Sequence, residues 1–175
     1  MTTHENHIIS VTGVSGAGKD YLLKHTHNTQ LLEQRLPVIN AGTQLMELLK
    51  LKGLITKTTT RDELKFILND DNLLGYVREI ITTLNPKNKY IFNGHVVTKS
   101  GDFLKINPEI EKEISPKKYV VIIADPKDIK KWRELEQNLT LAIITSLAVT
   151  LAIDLTVIEN NPSNLNDNTE FLRNL

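Results

Sequence analysis

Cysteine is absent from the 175 residues, which excludes disulfides, thiolate metal sites and a cysteine nucleophile. Net charge is absent as well: 21 Lys and Arg balance 21 Asp and Glu. No overall field therefore draws the chain to nucleic acid or to an anionic membrane, and neither is expected as a partner. No apolar run reaches the roughly 20 residues of a bilayer span. The most apolar stretch, Leu139–Ile153, is interrupted by Thr140, Thr145, Ser146 and Thr150 and reads as a buried helix. Met1–His7 is polar and lacks a basic region leading into an apolar one, so no export signal is expected and the cytoplasm is the expected location. What remains is 40% apolar and 24% charged residues, the composition of one ordinary globular domain spanning 1–175.

Apolar runs of strand length recur at His7–Thr12, Leu36–Ala41, Lys89–Asn93, Tyr119–Ala124 and Asp154–Ile158. Helix-period segments separate most of them: Gly18–Gln34, Thr43–Lys52, Arg61–Leu68, Asn72–Leu84 and Asp128–Leu151, with a short one near Asn166–Leu175. That alternation predicts an α/β fold with a parallel sheet. Tyr119–Ala124 is continuously apolar and rich in β-branched residues, as a strand covered on both faces should be. Five of the prolines fall between these elements and Pro37 at a strand start, where a missing donor does little damage. The Asn-rich stretch Glu159–Thr169 is expected to be a mobile tail.

The first strand runs into Gly13, Val14, Ser15, Gly16, Ala17, Gly18 and Lys19, the spacing G-x-x-x-x-G-K of a phosphate-binding loop. Glycines let successive backbone N–H groups turn inward onto phosphate oxygens, and the helix that follows presents its positive end to the same anion. Lys19 adds a movable positive charge. A nucleoside triphosphate, ATP, is the implied ligand, with residues Gly13 to Tyr21 around it. Asp20 stands where a serine or threonine hydroxyl normally meets magnesium. Its hard oxygens suit Mg²⁺, although a carboxylate in a first helical turn also favours the helix dipole whatever the ligand.

In order along the chain, the loop, Val38-Ile-Asn-Ala-Gly-Thr, Arg61-Asp-Glu-Leu, Asn93-Gly-His95, Lys99-Ser-Gly-Asp and Ala124-Asp-Pro126 resemble the nucleoside monophosphate kinases, closest to the archaeal-type adenylate kinases. The resemblance implies a three-layer P-loop fold with a five-stranded parallel sheet in the order 2-3-1-4-5, and ATP with Mg²⁺ as cofactors. It also implies a small phosphorylated acceptor, a nucleoside monophosphate, bound by a region of about residues 42–85, and a short lid at about 126–138. Thr43, Arg61, His95 and Lys99 would hold the acceptor, with Lys99 in the place of a family arginine. Lys19 and Arg133 would be catalytic, with Asp20 toward the metal.

Two departures qualify that implication. Asn93 replaces the acidic residue that ends the family's third strand, so a carboxylate swap is expected in which Asp20 supplies the lost charge. The lid offers only Lys127, Lys130, Lys131 and Arg133. Arg133 could reach phosphates with Lys130, or pair instead with Glu136 or Gln137. A nucleotide-binding module with little or no transferase activity, and a kinase for a non-nucleotide phosphorylated acceptor, are the alternative readings. Trp132 lies in the lid segment and could stack on a base or pack on the sheet.

Overall fold

The computed structural model of the chain describes residues 7–29, 36–60, 63–64, 67–100 and 103–175. Five strands form one parallel sheet: β1 (Ile8–Thr12), β2 (Val38–Asn40), β3 (Tyr90–Asn93), β6 (Lys118–Ile123) and β7 (Asp154–Glu159). Their lateral order is β2-β3-β1-β6-β7, which, counted among these five strands alone, is the expected 2-3-1-4-5. β1 is central, with Ile8 beside Tyr90 and Ile9 beside Lys118. A parallel neighbour needs a long crossover. Helices supply the crossovers: α1 (Lys19–Thr29), α2 (Ala41–Leu51), α3 (Asp70–Thr82), α4 (Pro108–Ile114), α5 (Lys131–Leu151), and a closing α6 (Leu165–Arg173).

Period-two alternation along β1 sorts its side chains between two faces. Ile9 and Val11 pack with Leu22 and Leu23 of α1 and Leu172 of α6. Ile8, on the other face, packs with Phe92, Val77 of α3 and Ile114 of α4. Ser10 and Thr12 share that second face, so two hydroxyls are buried there. Farther along the sheet, Tyr119 and Val121 of β6 meet Ile144 and Leu147 of α5. Among the described residues no helix is long and apolar enough to cross a membrane.

Several sequence expectations need correction. An antiparallel hairpin, β4 (Val97–Ser100) with β5 (Phe103–Ile106), intervenes after β3, and neither strand nor α4 was expected. Each strand has four residues, at the short end of the strand range, and α4 has seven, mostly charged, too few to show a period. Lys99, expected in a loop, is a residue of β4 opposite Leu104. The Asn-rich stretch after β7 is not a tail: Pro162–Asn164 makes a 3-10 turn, capped by the Asn161 side chain, that leads into α6 packed on α1. The segment expected as a lid is a 3-10 turn, Pro126–Asp128, followed by the first turns of α5. Part of the helix expected at Arg61–Leu68 lies outside the described residues.

Candidate active site

The phosphate loop follows from where its ends are tied. β1 is wholly buried, and at Gly13 the backbone passes so close to β6 that a Cβ there would overlap the Ile122 carbonyl oxygen. Gly16 sits at φ +91°, where a side chain is strained, and a Cβ on it would overlap Arg133 Nη1. The Ala17 amide donates to the Val14 carbonyl at 3.2 Å, and the Asn160 side-chain amide donates to the Ala17 carbonyl at 2.8 Å. Ser15 and Gly16 form the exposed crest, whereas Val14 and Ala17 are buried beneath it. Gly18 then leads into α1.

Lys19, the first residue of that helix, is only 5% exposed. Its ammonium donates to the Gly13 carbonyl at 3.0 Å and lies 3.4 and 3.5 Å from the two ring nitrogens of His95. Burial pulls its pKa down to about 8, against the opposing pull of the Asp20 and Glu136 carboxylates. An anion arriving at the loop would restore the missing countercharge. Arg133, on the first turn of α5, brings its guanidinium to the crest of the loop. Tyr21 is 60% exposed and stacks on His25 with centroids 6.0 Å apart; it borders a small hollow over the loop with Ser15, Gly16, Gly18, Lys19, Asp20 and His95.

Asp20 and Asn93 are joined in a hydrogen-bonded chain. Asn93 Nδ2 donates at 2.7 Å to Asp20 Oδ1 and at 2.7 Å to Asn40 Oδ1. Three elements, β2, β3 and α1, meet there through one amide. Asp20 is exposed and borders the hollow over the loop, so its hard carboxylate is available beside the place where phosphates would lie. That donor chemistry fits Mg²⁺, which commonly takes one or two protein carboxylates with phosphate and water oxygens completing its shell. Among the described residues no cluster of three or more His or acidic side chains could hold a metal without a ligand's help.

Beside the loop opens a cavity of about 710 Å³. Its walls come from α1, β2, α2, α3, β3, the hairpin and α4, and Asp20 and His95 border both it and the hollow over the loop. Thr43, on α2, lines it. Arg61 lies outside the described residues, and for Lys99 the backbone alone is described. The structure therefore brings together Lys19, Asp20, Thr43, His95 and the loop. Lys105 also lines the cavity and pairs with Asp70. Its deeper wall holds Glu111, 2% exposed, which accepts a hydrogen bond from Ser10 Oγ at 2.8 Å. Burial raises the pKa of this carboxyl to about 7.

A family model described as an AAA domain matches residues 12–141. The chain belongs to that AAA domain family. In solved structures, this AAA domain is similar to a thymidylate kinase from Ehrlichia chaffeensis: TM-score 0.53 and 13% identity, with 95% of this chain and 96% of that one covered. It also aligns with a sugar kinase from a Janibacter species, with TM-score 0.48, 11% identity and coverage of 93% and 91%. No curated protein matches the chain in sequence. The fold is thus the α/β, P-loop kinase-like fold that the sequence implied.

Some residues of the AAA domain's site were not singled out from the sequence. Asn40 lay inside a quoted motif without a role. Asn160 was counted into the tail, yet it anchors Ala17, and its own amide donates to the Ile123 carbonyl at 2.8 Å. Gln137 clamps the end of β6, accepting from the Ala124 amide at 2.8 Å and donating to its carbonyl at 3.0 Å. With that amide engaged on β6, the proposed bond from Arg133 to Gln137 is not what Gln137 serves. Glu136 and Glu111, both 2% exposed, read in sequence as ordinary surface acids, and no local signal marks them as buried.

Proposed function

We propose that this chain is a P-loop kinase that transfers the γ-phosphoryl group of ATP to a nucleoside monophosphate, like the archaeal-type adenylate kinases it resembles. One observation carries the reading: the phosphate loop and a second cavity of small-molecule size meet at Asp20 and His95. A cavity near 710 Å³ falls in the roughly 300–1,000 Å³ range of small-ligand sites. A donor on the loop and an acceptor in the cavity would bring their phosphates together at that shared edge.

Positioning and charge stabilisation account for most of such a reaction. An oxygen of the acceptor phosphate forms a bond to the γ-phosphorus while the bond to the β–γ bridging oxygen breaks, and ADP leaves. The acceptor phosphate is already ionised, so no general base is needed. Loop amides and Lys19 hold the β and γ phosphates. Arg133, at the crest of the loop, neutralises charge on the equatorial oxygens of the transferring group. His95, beside Lys19, faces the acceptor phosphate, and Thr43 borders the acceptor. Asp20, held by Asn93, would hold Mg²⁺, which would supply positive charge to the donor phosphates.

A second reading is a nucleotide-binding module without turnover, favoured by Asn93 where the family has an acid and by the few basic groups at 126–138. A coupled assay for ADP with Mg-ATP and a panel of nucleoside monophosphates separates the two. We expect acceptor-dependent ADP formation that Lys19→Ala abolishes. ATP binding that depends on Lys19, with no ADP above background for any acceptor, would establish the module instead.

A further inference from the structure

The acceptor cavity is lined mainly by apolar side chains, among them Leu23, Val38, Leu73, Val77, Phe92 and Ile110, which suit a flat ring excluded from water. Of the carboxylates and lysines that also line it, Glu111 alone is buried. It projects from α4 onto the face of β1 that carries Ser10, borders the cavity, and is almost wholly buried. Ser10 is its hydrogen-bond partner through Oε2, and the bond leaves Oε1 and a further lone pair of Oε2 to accept. Among the described residues Glu111 makes no ion pair; Lys105, a cation on the same cavity wall, pairs with Asp70. The Tyr119 hydroxyl, buried nearby, has no hydrogen-bond partner among the described residues, and burial together with Glu111 holds its pKa up.

A buried carboxyl with a single hydroxyl partner is costly. Holding Ser10 would be done as well by a neutral amide, without that cost. A ligand that brings N–H donors into the cavity supplies the missing hydrogen bonds and favours the charged carboxylate. We propose that Glu111 is the specificity-determining residue of the acceptor pocket, accepting hydrogen bonds from the N–H edge of the acceptor's heteroaromatic base. The assignment rests on the monophosphate-kinase reading above, and it selects among bases: an edge with two N–H donors is preferred to an edge with one, and that to an edge with none.

The test is competition binding and turnover by the full chain with a graded series. GMP offers two adjacent donor groups on its ring edge, IMP one, purine riboside monophosphate none, and ribose 5-phosphate no base. Affinity is expected to fall in that order, about tenfold or more per donor lost, since hydrogen bonds to charged groups are the stronger ones. Glu111→Gln keeps the bond from Ser10 but replaces two acceptors by one acceptor and one donor. It should compress the preference for GMP over the donor-free purine to below about threefold and raise AMP, with one donor and one acceptor, relative to GMP. ATP affinity at the loop should stay within about twofold, which controls for folding.

A flat series in the unsubstituted protein overturns the proposal even if the variant does not fold. So does a Glu111→Gln protein that binds ATP normally and keeps the original ranking. Ribose 5-phosphate turned over as well as any nucleotide overturns it while leaving a phosphoryl-transfer reading intact. Failure of every phosphorylated acceptor to bind overturns both.

Discussion

At the proposed donor end, seven consecutive residues from Gly13 to Lys19 make the surface, and two distant groups meet it: Asn160 on Ala17 and Arg133 against Gly16. At the proposed acceptor end no segment suffices, because the cavity takes its walls from seven elements between Asp20 and Glu111. The two ends also handle charge in opposite ways. Lys19 is a buried cation favoured by two carboxylates, and it sits at a helix N-terminus whose positive end also invites an anion. Glu111 is a buried acid with one hydroxyl for company. Backbone amides that read phosphate suit any nucleotide, whereas a side chain that reads a base distinguishes among them.

The comparison would be broken most severely at Arg133. If it belongs to the donor end as a transition-state group, Arg133→Ala should lower turnover by about 10²–10³-fold with little change in ATP affinity, and Arg133→Lys should recover part of it. Equal losses in binding and turnover would make Arg133 a brace of the loop instead. Steady-state kinetics beside ATP titration decides.

Asp20 stands where the two ends join, and a smaller effect is expected there. Asp20→Asn can keep the bond to Asn93 while losing the charge, so the magnesium concentration giving half-maximal activity should rise about 10–100-fold. Unchanged magnesium demand would assign Asp20 to the helix dipole and to the Asn93 network.

Smallest, and sharpest as a contrast, are the pH responses. Lys19 must carry its proton to hold phosphate, so ATP affinity should fall above pH about 8, where its free-site pKa lies, approaching tenfold per pH unit. For Glu111 the folded pKa, about 7, exceeds its ordinary value of 4.5. Between those values the folded state holds the extra proton, so its contribution to stability falls as pH rises from 4.5 through 7 and then levels off. The full change is on the order of 3 kcal/mol. Glu111→Gln should remove it, gaining on the unsubstituted protein between pH 5 and pH 8 in denaturant unfolding. A constant difference at both pH values would show that Glu111 is not the buried acid described.

Sequence alone determined the loop and the sheet, because both rest on local or periodic signals: glycine and lysine spacing for the one, β-branched runs between helices for the other. The order of motifs drew attention to Asp20 and Asn93 together, but their hydrogen bond is a contact that only the packed chain makes. The hairpin, α4 and the roles of Asn160, Gln137, Glu136 and Glu111 were not legible in the sequence. Burial decides what a Glu or Asn does, and burial is a property of the packed chain: Glu111 and Glu113 lie two residues apart on α4, yet one is buried against Ser10 while the other meets Arg78 at 2.8 Å on the surface. Only the tertiary structure chose between them, because the face of a seven-residue helix that turns inward is set by what it packs against.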